Sequence, residues 1–142
     1  CIAASIDVAY SGTVGAAMEA AMQGVPAIAF STAYGGGFAA AEELLTGLAC
    51  ELMTAPPARG EIWNVNFPGL TPREIKGVLY DRSVAPMQLY ADGFLSERGE
   101  DGAQRLWLRG THVDSSDVPE DTDLAALLSG FVSVGKLRSI TA

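Results

Sequence analysis

A chain of 142 residues, 49% hydrophobic and 18% charged, is long enough to bury one core and too short to divide comfortably into two, so a single domain over residues 1–142 is expected. Its net charge of −8 argues against a nucleic-acid surface, because polyanions are gripped by clustered Lys and Arg that release counterions. No apolar run approaches the ~18 residues of a membrane span, so the expected partners include neither nucleic-acid polymer nor membrane.

The chain opens at Cys1 without a Met, a charged start or an apolar leader, and reads as a piece of something longer. Its other cysteine, Cys50, sits inside an apolar helical pattern. Together they point to a buried thiol and a reducing compartment, the cytoplasm, rather than to a disulfide framework. From Gly12 onward Val14, Ala17, Met18, Ala21 and Met22 recur at helical spacing, Glu19 falls off that stripe, and Gly24 stands where a left-handed cap belongs, which predicts a helix. Pro26 then opens VPAIAFS, a short apolar run suited to a buried strand of a parallel sheet. Phe38, Ala41, Leu45, Leu48 and Leu52 lie on one face of a second predicted helix, with Glu42, Glu43 and Glu51 off it and Pro56 and Pro57 ending it.

In EIWNVNFPG the side chains alternate, Ile62, Asn64 and Asn66 against Trp63, Val65 and Phe67, predicting a strand with an unusual pair of Asn residues on one core face. TPREIKGVLYDR reads as a turn and a strand. Two strand-like runs at residues 89–95 and 105–109 flank the loop SERGEDGAQ, forming a protruding hairpin expected over residues 85–112. Its apolar face, with Leu106 and Leu108 or the alternate Trp107, needs a surface to cover it. Last, Thr122 is an N-cap candidate, Leu124, Leu127 and Leu128 form a stripe, Gly130 stops the helix, and FVSVGKL returns as a strand.

The familiar cofactor motifs are missing: no P-loop, no G-x-G-x-x-G after a strand, no G-x-S-x-G elbow and no C-x-x-C pair. Gly35, Gly36 and Gly37 read as a hinge or tight turn. His112, with Asp114, Ser115 and Asp117 nearby, reads as a solvated loop, and the acidic string over residues 114–123 as helix-start chemistry and surface, lacking the ligand pattern of a calcium loop. Ser11, Gly12 and Thr13 leave two readings open. Ser11 caps the helix while Gly12 and Gly15 permit close packing on a strand, which spacing alone favours. Alternatively, the bare helix start binds a phosphoryl group through its amides and hydroxyls. Residues 1–60 hold Arg59 as their one basic side chain against Asp7, Glu19, Glu42, Glu43 and Glu51, so a phosphate there needs backbone N–H groups or a metal ion.

Three blocks in order, DVAYSGTVGAAMEAAMQGVPAIAFS, WNVNFPG with EIKGV, and DTDLAALLSGFVSVGKL, resemble the SurE family of survival proteins, metal-dependent nucleotidases of nucleoside 5′- and 3′-monophosphates. The resemblance implies a Rossmann-like three-layer α/β sandwich with a protruding β-hairpin and a C-terminal helix-strand segment. It implies that Ser11, Gly12 and Thr13 bind the substrate phosphate beside Mg2+ or Mn2+, and that the hairpin and C-terminal segment exchange between subunits of a homodimer or homotetramer. The family's paired Asp, its Ser and its Asn ligands are expected upstream of Cys1, so no metal ligand and no catalytic residue is identified within this segment. Ala3 stands where the family has a second Asn, and Gly135-Lys136 where it has Thr-Pro. The expected function is therefore a metal-dependent phosphomonoesterase, with this segment inactive alone. The alternatives are a non-catalytic oligomerisation or nucleotide-binding module of the same fold, and a generic Rossmann-like domain with an unrelated ligand.

Overall fold

A computed structural model describes residues 2–33, 38–112 and 117–139, with the backbone alone at residues 90–92, 108 and 110–112. Helix α1 (Gly12–Met22) starts as its pattern predicts: Ser11 Oγ accepts from the Val14 amide at 3.3 Å. It ends before Gly24, whose φ of 82° is the left-handed conformation that glycine adopts without cost. The chain then forms strand β1 (Ile28–Thr32), crosses through helix α2 (Ala39–Met53), and returns as strand β2 (Glu61–Phe67), parallel to β1 from Ile28↔Trp63 to Thr32↔Phe67. Strand β3 (Val78–Leu79) and strand β6 (Val132–Arg138) complete a mixed sheet in the order β1-β2-β6-β3, with β2 and β6 antiparallel and β3 and β6 parallel.

The alternation in β2 divides the molecule into three layers. Ile62 turns toward α1 and joins Val14, Ala21, Ala29 and Ala3 in one core, while Trp63, Val65 and Phe67 turn toward α2 and pack with Leu48, Leu52, Val132 and Val134. Phe67, Ile62, Val65, Val132 and Val134 are fully buried, each apolar side chain contributing about 1.5–3 kcal/mol on leaving water. A third cluster unites helix α3 (Asp123–Leu128) through Leu124 and Leu127 with Ala4, Ala85 and Leu89. The fold is thus the expected α/β class.

Several details differ from the sequence reading. Leu128 is exposed rather than part of the α3 stripe, because a six-residue helix packs on one side only through Leu124, Ala126 and Leu127. Cys50 is an exposed free thiol, not a buried one, since α2 buries the face that carries Leu48 and Leu52. β1 alternates between buried Ala29 and Ser31 and half-buried Ile28 and Phe30, because it lies at one edge of the described sheet. Gly135 has a packing reason: a Cβ there would collide with the Arg82 carbonyl oxygen, which crosses directly over β6.

Strands β4 (Tyr90–Arg98) and β5 (Gln104–His112) form a separate two-stranded ribbon, in register from Tyr90↔His112 to Arg98↔Gln104. The strands run further than expected: Ser96, Glu97 and Arg98 are paired, leaving a tip at residues 99–103 closed by Gly99 N–H donating to Ala103 O at 2.8 Å. Polar residues on a solvated ribbon have the composition of a loop, which is why the pattern shortened it. Phe94 (68%), Leu95 (49%), Leu106 (61%) and Trp107 (57%) are exposed. Among the described residues no helix is long and apolar enough to cross a membrane.

Candidate functional site

At the start of α1 the Val14 amide is taken by Ser11 Oγ and the Gly15 amide donates to Ser11 O at 2.9 Å. The amides of Gly12 and Thr13 remain as helix-start donors without an intrahelical acceptor. A Cβ built on Gly12 or on Gly15 meets no atom within 4 Å. Close packing on a strand therefore does not account for either glycine, while Ser11 does cap the helix. Gly12 instead leaves the approach to these amides clear, at the positive end of the helix dipole.

Thr13 lines a cavity of about 300 Å³ together with Ser31 and Thr32 at the carboxyl end of β1, Phe67 at the carboxyl end of β2, Phe30, and Phe38, Ala41 and Leu45 at the start of α2. In open α/β sheets ligands occupy the crevice outside the carboxyl ends of the parallel strands, and this cavity lies there. The hydroxyl of Ser31 is buried and has no hydrogen-bond partner. Ser31 is one of a row, Ser31↔Asn66↔Ser133, crossing three strands on the α1 side of the sheet. The cavity residues Ser31 and Thr32 escaped the sequence reading; a hydroxyl pair closing an apolar strand just before a run of three glycines in the sequence was the available signal.

The two Asn residues of β2 hold the segment that leads to the start of α1. Asn66 Nδ2 donates to Ala3 O at 3.0 Å and its Oδ1 accepts from Ala3 N at 2.9 Å, while Asn64 Nδ2 donates to the same carbonyl at 2.8 Å. Asn66 is thereby satisfied through both its oxygen and its nitrogen by the Ala3 backbone, while the buried Oδ1 of Asn64 has no hydrogen-bond partner. From Ser5 a 3-10 turn (Ile6–Tyr10) runs directly into Ser11, whose amide donates to Val8 O at 3.2 Å.

Asp123, which the sequence reading gave to helix-start chemistry and surface, does open α3 but is 3% exposed. Its Oδ2 accepts from Ser5 N at 3.0 Å, and its Oδ1 accepts from Ala85 N at 3.0 Å and from Leu124 N at 2.7 Å. Burial pushes its carboxyl above the usual carboxylate range, opposed by the amides of Ala85, Ser5 and Leu124. Asp7 Oδ2 accepts from Leu89 N at 2.8 Å.

Among the described residues no group of three or more His, Cys, Asp or Glu is placed to hold a metal ion. The donors present do not fit the dication that the family resemblance implies. His112 is not in a loop as the sequence reading had it, because its backbone closes β5 opposite Tyr90; Asp117 is exposed, and Asp114 and Ser115 lie outside the described residues, as do Gly35, Gly36 and Gly37.

The family profile described as "Survival protein SurE" matches residues 3–88. A 5'-nucleotidase SurE of Neisseria gonorrhoeae is 35% identical over 134 residues, which are 93% of this chain and 53% of the relative. A 5'-nucleotidase SurE of Flavobacterium johnsoniae is 36% identical over 133 residues, 92% of this chain and 50% of the relative. The crystal structure of a SurE protein from Aquifex aeolicus superposes with a TM-score of 0.70 at 28% identity, covering 95% of this chain and 54% of that one. This chain spans about half the length of the curated relatives it matches. With its α/β sandwich, its helix-start turn at the strand ends and these matches, the chain belongs to the SurE family.

Proposed function

We propose that this chain supplies the phosphate-binding turn and the assembly ribbon of a nucleotidase acting on nucleoside 5′- and 3′-monophosphates. The observation that carries this reading is the opening of Thr13 onto the cavity at the carboxyl ends of β1 and β2. There the Gly12 and Thr13 amides and the Ser11 and Thr13 hydroxyls would bind the oxygens of a phosphomonoester. With Arg59 the one basic side chain in residues 1–60, a doubly charged phosphate needs a divalent ion beside it, Mg2+ or Mn2+. An ion of this kind would supply Lewis-acid chemistry toward the ester and a water, from donors other than the described residues. Since the described residues supply no donor set for it, no bond-breaking step is assigned to them, and the 142 residues by themselves are expected to bind without turnover. An exposed Cys50 thiol suits the reducing cytoplasm.

The ribbon supports the second half of the proposal. Its exposed Phe94, Leu95, Leu106 and Trp107 are covered in a homodimer or homotetramer by a second copy of the chain.

The test is release of phosphate from a nucleoside monophosphate by the full-length protein that contains this chain, with Mn2+ added. Activity that vanishes on chelation and falls with Thr13→Val is expected, and no activity with any divalent ion would overturn the reading. That null result would favour the second reading, a non-catalytic oligomerisation or nucleotide-binding module.

A further inference from the structure

Ser5 is fully buried and has φ 57° and ψ −170°, a backbone region that is nearly confined to glycine. A residue with a Cβ stays there only where its surroundings hold it, and such sites cluster at ligand clamps and switches. Here the restraints can be named. The Ser5 amide donates to Asp123 Oδ2 at 3.0 Å, its Oγ accepts from Asp7 N at 3.4 Å, and its carbonyl accepts from Val8 N at 3.1 Å. Asp123 is itself fixed by the Ala85 and Leu124 amides. On the far side of Ser5, Asp7 accepts from Leu89 N and the Ile6 amide donates to Met87 O at 3.3 Å.

We propose that Asp123 is a positioning residue for the phosphate turn: its buried carboxylate holds Ser5 in this strained conformation, and the 3-10 turn Ile6–Tyr10 carries that setting to Ser11, Gly12 and Thr13. The inference rests on the reading of that turn as the phosphate site. The link is short and stiff, because Ser5 O and Val8 O accept in succession from Val8 N and Ser11 N along it. Without the carboxylate Ser5 relaxes toward an ordinary conformation, the turn rotates, and the Gly12 and Thr13 amides lose their common aim. Neither Ser5 nor Asp123 touches the phosphate.

The experiment uses inorganic phosphate with Mg2+ present as the probe and compares wild type, Thr13→Val, Asp123→Asn and the double variant Ser5→Gly/Asp123→Asn. Loss of one hydrogen bond to a charged group is expected to weaken phosphate binding by about tenfold in Asp123→Asn. The double variant is expected to recover most of that loss, because glycine occupies the Ser5 conformation without strain, and it also serves if the single variant fails to fold. Rescue of this kind does not follow from a merely structural role. Amide hydrogen exchange is read in parallel: Asp123→Asn should speed exchange at Ser5, Gly12 and Thr13 while Val65 and Val134 keep their protection. If Thr13→Val abolishes binding and Asp123→Asn leaves it unchanged, the inference falls and the phosphate site stands. If wild type binds no phosphate, the site reading falls and the exchange measurement decides alone. Unchanged protection at residues 12 and 13, or a loss spread evenly over the core, then overturns the inference.

Discussion

Replacing Asn66 by Ala removes two hydrogen bonds to Ala3, the 3.0 Å bond to its carbonyl and the 2.9 Å bond from its amide. The carbonyl retains the 2.8 Å bond from Asn64 Nδ2, but the Ala3 amide, in a fully buried residue, is left with no acceptor. An orphaned buried donor costs about 1–3 kcal/mol and a lost amide bond about 1 kcal/mol more, so Asn66→Ala should cost about 2–4 kcal/mol. For a domain of this size that lowers Tm by roughly 10 °C. Asn64→Ala removes one donor from a carbonyl that Asn66 still serves, and should cost only about 1 kcal/mol. Because the two amides share one acceptor, the double variant should lose more than the sum. Urea denaturation of the three variants measures all of this. A smaller loss for Asn66→Ala than for Asn64→Ala, or strict additivity, would refute the assignment of these residues as the anchor of the entry segment.

Gly135→Ala drives a Cβ into the Arg82 carbonyl oxygen, a backbone contact that cannot rotate away; a loss of about 1–3 kcal/mol in urea denaturation is expected, and a neutral result would show that the crossing is looser than described. The Tyr80 hydroxyl donates to Glu51 Oε1 at 2.6 Å, and this bond pushes its pKa from 10.0 up to about 12. A folded-state value raised in this way means that the bond's contribution is complete below the ordinary tyrosine range and is lost as pH rises through the folded value. Absorbance titration should show one late tyrosine that moves back toward the ordinary value in Glu51→Gln, and no late tyrosine would contradict the contact. Trp107→Ser with Leu106→Lys on the exposed ribbon should convert a dimer or tetramer to monomer in sedimentation without lowering Tm, and a monomeric wild type would remove the ribbon from assembly.

Elements specified by neighbouring residues were legible in the sequence. The start of α1 at Ser11, its end before Gly24, the Thr122 cap and the division of β2 into two faces all depend on contacts a few residues apart. The start of α1 was legible as a choice between packing and binding, and it took the structure to show that a Cβ at Gly12 would meet nothing within 4 Å. What could not be read was the partner of each buried polar group. Asp123 reaches Ser5 across 118 positions, and the Asn residues of β2 reach Ala3 across more than 60. An acidic run before a helix has the composition of surface, and only the third core cluster, which encloses Ala4, Ala85 and Leu124, buries its last member. Cys50 and Leu128 were misread for a related reason: a short or one-sided helix buries a narrower face than its apolar composition suggests.

The most direct measurement is a proton–nitrogen correlation spectrum of the isotopically labelled chain, titrated with a nucleoside 5′-monophosphate in the presence of Mg2+. Saturable shifts should be largest at the amides of Gly12, Thr13 and Val14, smaller at Ser31 and Thr32, and absent in Thr13→Val. Shifts that do not saturate, or that saturate with Gly12 and Thr13 unmoved, would contradict phosphate binding at the start of α1.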